Sequence, residues 1–185
     1  MALKTPDGIT VYTRNEWGAR PPRGGYSHLG ALMSAVIHHG GPVGRPRWTK
    51  MAASKTCRDW QAYHMGQGWT DIGYHYLIDA RGRLYQGRPT WALGAHVLGE
   101  NTNRVGINFM QDGRYYGLTR AQKKTLRKLF ARSHKKRIGL PALKDLMNHP
   151  GGRFGVFGHR EVPGQATECP GSKILADLHK IMREF

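Results

Sequence analysis

Hydrophobic positions along the chain change their period several times, and each change marks an element. Ala35-Val36-Ile37-His38 is a continuous apolar run ending in Gly40-Gly41-Pro42, the pattern of a buried strand that opens into a loop. From Thr49 the period lengthens. Ala53, Cys57, Trp60 and His64 recur at helical spacing, with Thr49 as the N-cap and Gly66 near the stop. Residues 74–79 and 83–86 read as a hairpin around Ala80-Arg81-Gly82. Val105, Ile107 and Phe109 alternate along a further strand that ends at Asp112-Gly113. Thr119-Arg120-Ala121-Gln122 is a capping box, opening a helix expected to run to about residue 138. Residues 141–147 read as a short helix. Ser172 is the expected cap of a last helix, whose Ile174, Leu175, Leu178, Ile181, Met182 and Phe185 form one apolar stripe. Interleaved strands and helices with a central hairpin predict an α/β fold, a central mixed β-sheet flanked by α-helices. No repeat, low-complexity tract or long linker interrupts the sequence, so residues 1–185 are expected to form a single domain.

Composition narrows the function classes. A length of 185 residues is enough to enclose a core, and 39% hydrophobic with 10% aromatic residues excludes a disordered basic tail. No apolar run approaches the roughly 20 residues that cross a bilayer. The N-terminus lacks the apolar stretch of about 7–15 residues found in secretory signals, which predicts synthesis in a cytoplasm without a signal peptide. Lys and Arg number 29 against 12 Asp and Glu, a formal charge of +17, so a polyanionic partner is expected: nucleic acid, an anionic membrane face or an acidic cell wall. Nine of those basic residues lie between Arg120 and Arg137, with no acid from Gly113 to Lys144. None of the sequence signatures of nucleic-acid recognition modules is present, so only non-specific retention that fades with salt is expected from that charge.

Two cysteines allow at most one disulfide, and ten histidines direct attention to metal chemistry. His28, His134, His149 and His179 lie in polar or loop contexts and read as surface residues. His64 falls on the apolar face of a helix and reads as a core histidine. His38, His39, His75, His96 and His159 end or flank predicted strands and Gly-rich loops, where sites are usually built. His159 and Cys169, joined by a Gly/Pro-containing loop, suit zinc, because imidazole nitrogen and thiolate sulfur are both good ligands. The local spacings of a structural zinc finger are absent. A third ligand would then come from a distant segment, as in catalytic sites that keep one position for water. Along a strand His38 and His39 point to opposite faces, and the pattern does not choose between them. For His96 a groove-lining role and a structural one stay equally open.

A longer set of motifs carries a resemblance. Arg14-Asn-Glu-Trp17-Gly-Ala-Arg20, Val36-Ile-His38-His and Gly68-Trp69-Thr-Asp71-Ile-Gly73-Tyr74-His75 are followed by Gly94-Ala-His96 and Val105-Gly-Ile-Asn108-Phe. Gly158-His159-Arg and Thr167-Glu-Cys169-Pro-Gly close the series. In this order they resemble the peptidoglycan recognition protein and type 2 N-acetylmuramoyl-L-alanine amidase family, which includes bacteriophage endolysins. The resemblance covers residues 12–185. It implies a zinc (Zn2+) site at one end of the sheet with His38, His159 and Cys169 as ligands, and Tyr74 and Thr167 as catalytic residues donating to the developing oxyanion. The implied substrate is the amide joining N-acetylmuramic acid to L-alanine in bacterial peptidoglycan. It also implies a monomeric phage or bacterial lytic enzyme that reaches the wall after holin-type release or lysis. Many animal members pair the cysteine matching Cys57 with another six residues earlier, where Met51 stands here, so Cys57 is expected as a reduced core thiol. The basic helix over residues 119–138 is expected to hold the enzyme against anionic wall polymers or outer-membrane phosphates.

Overall fold

The computed structural model describes residues 2–147 and 155–185. In chain order these form β1 (Leu3–Lys4), β2 (Thr10–Tyr12), α1 (Arg14–Trp17), β3 (Ser34–His39), α2 (Lys50–Gly66), β4 (Tyr76–Ile78), β5 (Leu84–Gln86) and β6 (Arg104–Phe109). There follow α3 (Arg120–Ala131), α4 (Lys135–Ile138), α5 (Leu143–Met147), β7 (Gly155–Gly158) and α6 (Ser172–Met182). The strands make one mixed sheet in the order β1-β2-β5-β4-β6-β3-β7. β4, β6, β3 and β7 run parallel to one another, while the β4–β5 and β1–β2 pairs are antiparallel.

Parallel strands must be covered on both faces, and alternation along each strand assigns the coverings. Ala35 and Ile37 of β3, Ile78 of β4, and Val105, Ile107 and Phe109 of β6 point to one face. There they pack under Leu126, Leu129 and Phe130 of α3, Leu143 and Leu146 of α5, and Ile174, Leu178 and Ile181 of α6. The opposite face buries Leu77 and Tyr85 against Trp17, Ala53 and Cys57, and Val36 against Val97 and Val162. Register aligns His38 with Asn108 and Asn108 with Leu77, so this second face carries His38 and Asn108 in one row at the ends of the parallel strands.

Several boundaries depart from the sequence expectation. The helix expected over residues 119–138 is two helices, because the His134 N–H donates to Leu140 O and the chain folds back there. His134 is buried, not a surface residue. His149 lies outside the described residues. Thr49 caps α2 as expected, accepting the Ala52 N–H, and both ends of the Thr119 capping box are formed. The last helix is capped by Gly171 instead of Ser172. Gly171 has φ of 82°, and a Cβ there would stand 2.2 Å from the Gly113 carbonyl carbon, so the backbones meet where no side chain fits. Cys57 is fully buried, and neither cysteine is in a disulfide.

The basic surface is also less uniform than the sequence pattern. Lys123 pairs with Asp177 at 2.6 Å, Arg127 grips Glu184 through two bonds, and Lys128 Nζ donates to Asp7 O. Arg120 and Lys124 are exposed and make no ion pair with the described residues. Because Leu126 is fully buried at the centre of the α3 contact with the sheet, Leu126→Ala should lower stability by about 2–5 kcal/mol. Urea unfolding should show this as a lower midpoint at unchanged slope.

Candidate metal centre

β3 delivers His38 to the end of the sheet, fully enclosed and on the face opposite the hydrophobic packing of Ile37. Its neighbour His39 points elsewhere: its Nδ1 accepts the Gly113 N–H at 2.9 Å. Alternation therefore separates the two residues that the sequence pattern left level. His159 opens a short 3-10 turn directly after β7, the strand paired to β3. Its ring centroid lies 4.6 Å from that of His38. Cys169 approaches from the loop before α6, with Sγ 3.5 Å from His38 Nδ1 and accepting the His39 N–H at 3.5 Å. One ligand atom from each of His38, His159 and Cys169 lies within 4.8 Å of the others.

The donor set matches a tetrahedral zinc site in chemistry and scale. Metal–nitrogen distances near 2.0–2.1 Å and a metal–sulfur distance near 2.3 Å put such donors about 3.6 Å apart. The separation of His38 Nδ1 from the Cys169 sulfur is 3.5 Å. Burial holds His38 well below the ordinary histidine range, reinforced by His96 and His159, and burial also lowers His159. Both rings are thus neutral near pH 7, the form that offers a lone pair. Burial pushes the Cys169 thiol up to about 12, so a cation is required to hold the thiolate at neutral pH.

Tyr74 stands beside this group, its ring centroid 5.2 Å from that of His38. Burial, with Cys169 nearby, raises its pKa above the ordinary tyrosine value, which keeps the O–H as a donor. Thr167 Oγ1 accepts the Cys169 N–H at 3.1 Å, leaving its own hydroxyl proton free to donate. An aromatic row continues outward from Tyr74 through His64 to Trp69, which stacks on His64 at 4.6 Å. His64 is buried, with Nδ1 accepting the Gly73 N–H, and burial pushes it down to about 4. His75 is also spent on the backbone: Nε2 meets Ala92 O at 2.8 Å and Nδ1 accepts the Gly106 N–H.

One member of the environment, Gln165, was not selected by the sequence pattern, and another, His96, was left open between a groove-lining and a structural role. His96 Nδ1 lies 3.0 Å from His38 Nε2, and Gln165 Oε1 lies 3.4 Å from His159 Nε2. Neither has a local spacing that would reveal its neighbour. Other motif residues serve largely as struts. Arg14 meets the buried Asp71 at 2.7 Å, and Gln61 donates to the other oxygen of the same carboxylate, tying α1, α2 and the Gly68–Tyr74 segment together.

The chain matches the N-acetylmuramoyl-L-alanine amidase family over residues 30–172. Peptidoglycan-recognition protein SC2 of Drosophila melanogaster is 34% identical over 178 residues, spanning 92% of this chain and 85% of its own length. Peptidoglycan-recognition protein LB of the same organism is 30% identical over 187 residues, spanning 93% of this chain and 70% of its own. Among solved structures, Drosophila peptidoglycan recognition protein SD superposes with a TM-score of 0.77 at 28% identity, covering 93% and 94% of the two chains. A mutant of Drosophila LB in complex with tracheal cytotoxin superposes with a TM-score of 0.75 at 29% identity, covering 91% and 92%. These relatives are animal recognition proteins and not phage endolysins. They overturn the expected synthesis in a bacterial host cytoplasm with holin-type release, an expectation drawn from the N-terminal residues and from the resemblance to phage endolysins. The mixed sheet, its helical layers and the matched sequence lead to one conclusion: the chain belongs to the N-acetylmuramoyl-L-alanine amidase family, alongside the peptidoglycan-recognition proteins.

Proposed function

We propose that the chain is a zinc-dependent N-acetylmuramoyl-L-alanine amidase, acting as one catalytic domain on bacterial peptidoglycan. The scissile bond is the amide between the lactyl group of N-acetylmuramic acid and L-alanine. The observation that carries this reading is the meeting of two neutral imidazoles and a thiol, from segments 121 and 10 residues apart in the chain, within 4.8 Å of one another. His38, His159 and Cys169 would hold the metal. When bound, zinc supplies Lewis acidity, polarising the scissile carbonyl and lowering the pKa of a bound water from 15.7 to roughly 7. Tyr74 would donate its hydroxyl proton to the oxygen on which charge develops, and Thr167 would donate a second bond there. The aromatic row from Tyr74 through His64 to Trp69, its rings set edge-to-face and then stacked, would line one side of the path taken by a sugar or stem peptide. The cytotoxin bound by the LB relative is a monomeric diaminopimelic acid-type peptidoglycan, which supports the substrate class.

The competing reading is a recognition module that binds peptidoglycan without cutting it, as the names of the relatives suggest. The thiol of Cys169 beside His38 favours the enzyme. Mass spectrometry of purified walls separates the two. The zinc-loaded chain should release free lactyl groups and new L-alanine N-termini, and exhaustive chelation should stop it. Full activity after chelation, or binding with no cleavage by the zinc-loaded chain, would refute the amidase. Cys169→Ala should abolish both zinc retention and cleavage. Tyr74→Phe should keep zinc and lose about 10²–10³ in kcat.

The exposed cations are proposed to dock the enzyme on anionic wall polymers or outer-membrane phosphates, with no specific nucleic-acid partner. The exposed Arg120, Lys124, Lys135 and Lys136 are the relevant group, since Lys123, Arg127 and Lys128 are held within the fold. Replacing those four by Gln should weaken wall association in sedimentation assays and flatten its salt dependence. Hydrolysis of a small soluble muropeptide should be nearly unchanged. An equal loss on both substrates would exclude the docking role.

A further inference from the structure

A third imidazole touches the centre and has no part in the proposed chemistry. His96 Nδ1 lies 3.0 Å from His38 Nε2, with the rings nearly perpendicular at 81°. On its far side His96 Nε2 lies 3.3 Å from Arg104 O. A carbonyl oxygen can only accept, so His96 Nε2 must carry the ring proton. His96 Nδ1 is then a lone pair, and His38 Nε2 must be the donor to it. The remaining nitrogen of His38, Nδ1, is left bare, and it is the atom that faces the Cys169 sulfur at 3.5 Å. A backbone carbonyl at the start of β6 thus dictates, through one intervening ring, which nitrogen of His38 is free for a metal.

The ring of His96 is seated in a slot with glycine walls. A Cβ on Gly94 would stand 2.5 Å from its Cδ2, and a Cβ on Gly106 would stand 2.7 Å from its Cδ2 and Cγ. Contacts that short do not occur, so either substitution must displace the ring. Its backbone is anchored as well, for the side-chain oxygen of Asn101 accepts the N–H of both His96 and Val97. His75, the nearest other imidazole at 5.7 Å, has both nitrogens bonded to backbone groups and cannot compete for the same lone pair.

We propose that His96 is a positioning residue that sets the tautomer and ring orientation of His38 for metal binding, an inference that rests on His38 being a zinc ligand. Outer partners of this kind typically change metal affinity by about 10–100-fold. The test compares wild type with His96→Phe, His96→Asn and Gly106→Ala, using zinc titration against a chromophoric chelator. A second readout needs no metal: the ¹⁵N shifts of His38 in the metal-free chain report which ring nitrogen holds the proton. His96→Phe and Gly106→Ala should each weaken zinc about 10–100-fold and move His38 toward mixed tautomers. His96→Asn carries an acceptor oxygen where histidine carries Nδ1, and should stay close to wild type in both measurements. If His96→Phe fails to fold, Gly106→Ala makes the same comparison, because it keeps the imidazole and only displaces it. Wild-type zinc affinity in the displaced variants overturns the proposal, whether or not the tautomer moves. A wild-type chain that binds no zinc, yet loses its His38 tautomer preference in His96→Phe, would overturn the amidase reading and leave the hydrogen-bond chain standing.

Discussion

The segment that carries Cys169 is pressed against the carboxyl end of β3, and the rest of the centre is arranged around that contact. The sulfur reaches both the His38 ring and the His39 backbone N–H, so it is fixed to the strand as well as to the neighbouring imidazole. Several bonds keep the segment there. The Arg160 N–H donates to Cys169 O, and the Lys173 N–H donates to Gly113 O just beyond the end of β6. The glycine contact between residues 113 and 171 lets the start of α6 approach the sheet end at backbone distance. α6 in turn is held by the burial of Ile174, Leu178 and Ile181 on the far side of the sheet. Hydrophobic packing on one face of the strands is thereby converted into donor geometry on the other.

Electrostatics follow from the same burial. The chain carries +17 overall, yet the groups at the centre are in their uncharged forms near neutral pH. Removing water disfavours every charged form, lowering the imidazoles and raising the thiol. A divalent cation entering this pocket would release the thiol proton and leave one net positive charge, because only one of the three donors is anionic. The cationic surface is separate. Part of it is consumed by internal ion pairs of α3 with α6 and the C-terminus, and only the exposed remainder is free for a partner.

Elements with a strong local signal are legible in the amino-acid pattern. The apolar run of β3, the Thr49 cap of α2 and the Thr119 capping box all stand as read, because each is governed by contacts within a few residues. Weak or absent local signals account for the departures. β7 has two glycines around two apolar residues, too short for any period, and exists because β3 offers it a partner. The break between α3 and α4 has no proline or glycine to announce it. It arises where the His134 backbone finds Leu140 instead of continuing the helix.

For the centre, the sequence alone determined the chemical inventory: imidazoles at strand ends, one cysteine behind a Gly/Pro loop, and a family order of motifs in which His38, His159, Cys169, Tyr74 and Thr167 are singled out. Tertiary structure decided the relations among them. It turned His38 inward and His39 away, brought three donor side chains 121 and 10 residues apart into one group, and placed His96 behind His38. It also divided the basic residues into those that brace the fold and those that face solvent. The physical reason is the same in each case. Residue type and local period follow from short-range sterics and hydrogen bonding, whereas ligand geometry, tautomer and ion pairing depend on groups that only the pairing of β3, β6 and β7 brings together.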